Sequence, residues 1–255
     1  MKNNYTLKRS YVPGLSMLSN QVSKNYLLWD FEGTLAARKG RYTSALEAAA
    51  TATDPTFSCN ADVIRPFLSG AFPWHRDELA HCWAGNPEGW WSPILAAAET
   101  ALVTLGMEET LAISASKRSR EIYLDLAGWQ VDTDAVEVLE HLSALGWHHA
   151  VLSNFAPELP SLMDGLGLSI HFDKVFCSGQ IGLEKPSPAL FRYVIESLAP
   201  GRARWMIGDN PDADITGGQA AGLSTILLGR DTHDVGFSAT TLSKIPAILL
   251  KEHRP

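Results

Sequence analysis

The feature that most constrains this chain is a set of short apolar runs, each giving way to polar residues. Tyr26-Leu27-Leu28-Trp29 runs into Asp30, Ala150-Val151-Leu152 into Ser153, and Trp205-Met206-Ile207 into Gly208-Asp209. Lys174 to Cys177 and Thr225 to Leu228 are two more runs of the same kind. Runs this short without internal polar residues fit strands buried on both faces. Between them lie helical patterns. Asp134 to Leu145 has an Asp at the N-cap position, Glu137 three residues on, and Gly146 as a stop. Ser187-Pro188 opens a second, with Leu190, Phe191, Val194, Ile195 and Leu198 on one stripe. Asp212 to Ala221 predicts a third, ended by Gly222. Strands alternating with helices predict an α/β fold with a doubly wound, mostly parallel sheet.

That alternation breaks between Thr34 and about Gln130. The interval is alanine-rich and holds helical stretches at Tyr42 to Thr53, Ile94 to Leu105 and Glu108 to Leu126. It is too long for a loop and reads as a helical cap over 37–129, inserted into a core formed by 25–36 and 130–255. Residues 1–24 form an N-terminal extension. Trp74, Trp83, Trp90 and Trp91 crowd the middle of the insertion beside His75 and His81. Core packing between short helices is favoured over an aromatic platform for a ligand.

At 255 residues with 45% hydrophobic and 19% charged residues, the chain is ordinary for a folded globular protein. A formal charge of −7 and no long basic run predict no nucleic-acid or anionic-membrane partner. No apolar stretch reaches the length of a membrane span, and the leader lacks a signal-peptide core, so the cytoplasm is expected. Cys59, Cys82 and Cys177 are odd in number and lack metal-ligand spacing, so they read as small apolar residues. Oligomeric state is not readable.

Polar strings at the ends of the apolar runs carry the chemistry, because ligands of open α/β sheets bind outside the carboxyl ends of the strands. Asp30 is the candidate nucleophile, able to form an aspartyl phosphate that water then hydrolyses. Glu32, two residues later, is the candidate acid and base. Gly33 permits a tight turn, and Thr34 offers a donor to phosphoryl oxygens. Lys185, followed by Pro186, brings positive charge between two anions, while Ser153 and Asn154 donate to the remaining oxygens. The candidate metal set is Asp30, Glu32, Asp209 and Asp214, with one main-chain carbonyl among the ligands; hard oxygens suit Mg²⁺. Asp212 is assigned to the helix start, where acidic residues are favoured.

Assembled, Asp30-Phe31-Glu32-Gly33-Thr34, Ser153, Lys185 and Gly208-Asp209 with Asp214 resemble the four motifs of the haloacid dehalogenase superfamily of hydrolases, from about Tyr26 to Arg230. Gly89-Trp90-Trp91-Ser92 and Val151-Leu152-Ser153-Asn154-Phe155 further resemble its branch containing haloacid dehalogenase-like hydrolase domain-containing protein 3. The resemblance implies a Rossmann-like core, a helical cap between the first two motifs, and Mg²⁺-dependent hydrolysis of a small phosphorylated metabolite. Glu32 stands where phosphatases of the family most often have Asp; the superfamily's enolase-phosphatases resemble this chain in carrying Asp-x-Glu-Gly-Thr. Two alternatives stand beside the phosphatase: a catalytically weak binding or regulatory protein on the same fold, and a 2-haloacid dehalogenase.

Overall fold

The computed structural model describes residues 24–75, 84–230 and 236–252. The N-terminal extension to Ser23, His81, Cys82 and Trp83 lie outside the described residues. Six strands form one parallel sheet: β1 (Asn25–Trp29), β4 (Trp147–Ser153), β5 (Lys174–Cys177), β6 (Arg202–Gly208), β7 (Ser224–Leu228) and β8 (Phe237–Ala239). Their spatial order is β5-β4-β1-β6-β7-β8, which leaves β1 in the middle. The short apolar runs of the sequence account for β1, β4, β5, β6 and β7.

Side-chain alternation explains why those runs are apolar throughout. Leu27, Trp29, Val151 and Ile207 face one apolar cluster, whereas Tyr26, Leu28, Ala150, Leu152 and Met206 face another on the opposite side. The first face is covered by α5 (Ala135–Ala144), α6 (Leu159–Gly165) and α10 (Ile245–Glu252), and the second by α8 (Pro188–Ser197). Burial on both faces fits the doubly wound sheet the pattern predicts.

The interval after β1 is helical, as expected, apart from a small antiparallel pair at its base, β2 (Ala36–Arg38) with β3 (Trp129–Val131). Between these strands come α1 (Arg41–Thr53), α2 (Ala61–Ile64), α3 (Pro87–Thr104) and α4 (Glu109–Leu124), with α1 and α3 packed on α4. Ala45, Ala49, Ala112 and Ala115 are fully buried; small side chains let α1 and α4 approach closely. Trp90 and Trp91 are buried core residues, as expected of tryptophans that staple helices. Trp74 is only half-buried and stacks on Phe72 with ring centroids 4.8 Å apart.

Two local expectations change. The helix expected over Asp212 to Ala221 is a π-helical turn, Pro211–Thr216, followed by one short α-turn, α9 (Gly217–Ala220). Asn210, rather than an Asp, caps it: its side-chain oxygen accepts from the N–H groups of Asp212 and Ala213, both at 3.0 Å. The wide turn lets the N–H groups of Asp214 and Ile215 share the Asn210 carbonyl and carries Asp214 inward. Asp134 makes no side-chain cap bond; its own N–H donates to Asp132 Oδ1 at 2.9 Å instead.

Candidate active site

Strand ends bring the sequence-predicted residues together at the carboxyl edge of the sheet. Asp30 follows central β1, and its N–H continues the ladder to the Ile207 carbonyl of β6 at 2.9 Å. Ser153 is the last residue of β4, and Asp209 follows the last residue of β6. Lys185 comes from the loop between α7 (Ser178–Ile181) and α8. The Asn154 side chain fixes that loop: its Nδ2 donates to the Lys185 carbonyl at 2.9 Å, and the Lys185 N–H donates to its Oδ1 at 2.7 Å. The expected phosphate donor thus spends its side chain on positioning Lys185.

Asp30 Oδ1 accepts from Ser153 Oγ at 2.9 Å and from Lys185 Nζ at 2.7 Å. Both bonds fall on one carboxylate oxygen and leave Oδ2 for an incoming group. Lys185 donates twice more, to Asp214 Oδ1 at 2.6 Å and to the Leu152 carbonyl at 2.8 Å. An ammonium has three hydrogens, so Lys185 is saturated. It is 3% exposed and Asp214 is 0% exposed, so this charge network is shielded from water. Burial favours the neutral amine of Lys185, but the charges of Asp214 and Asp30 outweigh it and hold its pKa above the ordinary value. Burial pushes Asp214 up to about 6, with Lys185 opposing.

Two glycines make the approach possible. Gly33 has φ +100°, and a Cβ there would collide with the Asp209 carboxylate. A Cβ on Gly208 would likewise strike the Asp214 carboxylate. Backbone and carboxylates occupy space that a methyl group would claim.

Asp30, Asp209 and Asp214 each place an oxygen within 4.8 Å of the others. Among the described residues only Lys185 and, on Asp209, Arg41 supply positive charge to this cluster, which leaves it an excess of negative charge. Burial and the Asp30 charge raise the pKa of Asp209. Three hard oxygens in a negatively charged recess fit a divalent cation of the Mg²⁺ kind. The Glu32 side chain is not among the three.

Glu32 instead points to the helical segment, where its Oε2 accepts from the Tyr123 hydroxyl at 2.9 Å. Its Oε1 is buried and has no hydrogen-bond partner among the described residues. Burial pushes its pKa up to about 7, with Arg41 and the Tyr123 hydroxyl opposing. A carboxyl poised there both gives and takes a proton near neutral pH. Thr34 is 2% exposed, and its hydroxyl also has no partner among the described residues. Asp212 is exposed at the rim.

Two contributors escape the motif reading. Arg41 has φ +53° directly after Gly40 at φ +74°, a left-handed pair that turns the chain into α1. A non-glycine residue in that region is held against a cost of about 1 kcal/mol or more. Its guanidinium reaches Asp209 Oδ2 at 3.2 Å. Tyr123, fully buried near the end of α4, supplies the only described donor to Glu32. A residue with φ > 0 and a tyrosine on a helix face leave no mark in one sequence.

The model of the haloacid dehalogenase-like hydrolase family matches residues 25–222. The chain belongs to this family. Among its relatives are a phosphoserine phosphatase of Thermus thermophilus, 32% identical over 46% of this chain and 49% of that protein, and haloacid dehalogenase-like hydrolase domain-containing protein 3 of Bos taurus, 24% identical over 83% of this chain and 84% of that protein. The chain spans about half the length of the first of these. Among solved structures, the HAD-hydrolase YfnB of Bacillus subtilis bound to magnesium shares the fold, with TM-score 0.68 and 20% identity over 89% of this chain and 99% of that one. The described part of this family member contains no helix long and apolar enough to cross a membrane.

Proposed function

We propose that this hydrolase is a Mg²⁺-dependent phosphatase that cleaves a small phosphorylated metabolite through an aspartyl phosphate on Asp30. One observation carries the reading: the Asp30 carboxylate, 7% exposed, has one oxygen pinned by Ser153 and Lys185 and stands beside two further carboxylates. Pinning one oxygen orients the other as a nucleophile. Asp30 attacks the phosphorus and the ester oxygen leaves; Glu32 gives that oxygen its proton. The resulting Glu32 carboxylate takes a proton from water, and the hydroxide attacks phosphorus, releasing phosphate and restoring Asp30. Lys185 keeps positive charge against both anions throughout. Asp30, Asp209 and Asp214, with the Glu32 main-chain carbonyl, would hold Mg²⁺, which supplies charge neutralisation and orients the phosphoryl group.

The helical segment over 37–129 is read as a cap that closes the site from water and selects the ester. The dehalogenase reading is disfavoured by Glu32, since halide leaves without a proton, and by the crowded carboxylates that would repel it. Phosphate release from a panel of phosphorylated metabolites, with Mg²⁺ and with chelator, tests the proposal. Release that requires Mg²⁺ and disappears in Asp30→Asn is expected; equal release in that variant overturns it.

A further inference from the structure

Beyond the catalytic cleft opens a second, larger space. The cleft, about 400 Å³, is walled by Asp30, Ser153, Lys185 and the acidic set. The outer chamber, about 740 Å³, lies between the helical segment and the base of the insertion. Glu32, Arg41, Trp74 and His75 line both spaces. A phosphate ester with its phosphoryl group at Asp30 therefore passes its alcohol part beyond Glu32, the proposed acid, into the outer chamber. The volume accommodates a metabolite-sized group.

The charge of this chamber is opposite to that of the cleft. Its described walls carry Arg38, Arg41 and Arg65 against one carboxylate, Glu32, within a chain of net charge −7. His75 accepts the Gly70 N–H on Nδ1 at 3.1 Å, and partial burial lowers its pKa. Arg41 is committed to Asp209. Among the described residues, the other two guanidinium groups have no strong anionic partner within the chamber. Among the described residues Arg38 donates only to the Asp125 carbonyl, at 3.5 Å, and its buried Nε has no partner. Arg65 meets Asp62 at 3.7 Å, with both side chains mostly exposed; such a pair is weak and readily exchanged for a better anion. Much of the remaining wall is apolar, with the stacked Phe72 and Trp74 rings and buried Tyr42 and Leu68, beside the hydroxyl residues Thr43 and Ser69. A guanidinium fork suits carboxylate or phosphate oxygens, and ring faces suit a planar or apolar body.

We infer that the preferred substrate is a phosphate monoester whose alcohol part carries a second anionic group, carboxylate or phosphate, seated at Arg38 and Arg65 beside the aromatic wall. This inference rests on the phosphatase reading for the first phosphate, and the test separates the two. Binding is measured by calorimetry on Asp30→Asn with Mg²⁺, using phenyl phosphate, 4-(carboxymethyl)phenyl phosphate and the corresponding phosphonomethyl compound. The methylene insulates the leaving group, so the added charge does not alter its chemistry. One of the anionic probes is expected to bind at least about tenfold tighter than phenyl phosphate, and the larger gain names carboxylate or phosphate. Arg65→Gln and Arg38→Gln in the same background should bring the ratio close to one, and Arg65→Lys should restore part of it, which a merely structural role would not produce. Equal binding of all three probes overturns the inference. Turnover by the wild-type enzyme is then read separately. Tighter binding of an anionic probe without release of phosphate from any probe would keep the anion site and overturn the phosphatase reading; release from all three at equal kcat/KM would keep that reading and overturn the anion site.

Discussion

The inner cleft and the outer chamber of this hydrolase are built in opposite ways. In the cleft, charged groups are buried and tied into one network in which Lys185 alone satisfies three acceptors. In the chamber, arginines lean into an apolar space on weak or partial contacts. A saturated buried network fixes geometry, which a reaction needs; weakly held cations over apolar walls leave room for exchange, which selection needs. The cleft is carried by strand ends of the parallel sheet, whereas much of the chamber is carried by the helical insertion. On the proposed function, chemistry and choice of ester fall to different parts of the chain.

The largest effect is expected at Lys185. Lys185→Met leaves Asp30 and Asp214 buried without their counter-charge, so a destabilisation of roughly 3–5 kcal/mol is expected by denaturant titration, with turnover of every ester lost together. A smaller change at Glu32 sharpens the comparison. Glu32→Gln should slow phosphate release about 10²–10⁴-fold, most for alkyl esters whose leaving oxygen needs a proton and least for p-nitrophenyl phosphate. An equal loss for both would remove Glu32 from proton transfer. Chamber changes such as Arg65→Gln should instead reorder esters among themselves, by about tenfold for those bearing a second anion.

One further effect lies away from both spaces. His149 is buried on β4, its Nδ1 accepting from Trp29 Nε1 at 3.0 Å and its Nε2 lying 3.1 Å from the Leu139 carbonyl and from Ser143 Oγ. Burial lowers its pKa from 6.5 to about 4, with the Leu139 carbonyl and, more weakly, Asp173 opposing the shift and His148 and His171 adding to it. The unfolded chain therefore takes up this proton more readily than the folded one. Stability from neutral His149 is full above pH 6.5, declines as pH falls towards 4, and amounts to at most about 3 kcal/mol. Denaturant titrations at stepped pH should show that decline and its flattening in His149→Gln. A decline unchanged in the variant would assign it to other groups.

How far the sequence could be read follows from the same division. The strands of the sheet centre are buried on both faces, so Tyr26 to Trp29 and its counterparts are recognisable as apolar runs, and the residues ending them fall at one edge. Asp30, Ser153 and Asp209 are legible for that reason. Strands β2, β3 and β8 have three residues each and carry no run long enough to register. The turn after Asn210 follows from one side chain capping two N–H groups, a detail that helical periodicity does not encode. Arg38, Arg65, Trp74 and Tyr123 meet only because separate segments fold over one another, and nothing local to any of them announces the encounter. The side chain of Asn154 shows the limit from the other side: its place in the motif is legible, its partner Lys185 is not.

The proposed phosphatase mechanism requires Asp30 to carry the phosphoryl group. The most direct measurement is acid quenching of the wild-type enzyme during turnover with Mg²⁺, followed by peptide mass spectrometry. A phosphorylated Asp30 in the wild type, absent from Asp30→Asn together with phosphate release, is the predicted result. Steady phosphate release by Asp30→Asn, or the phosphoryl group on another residue, would contradict it.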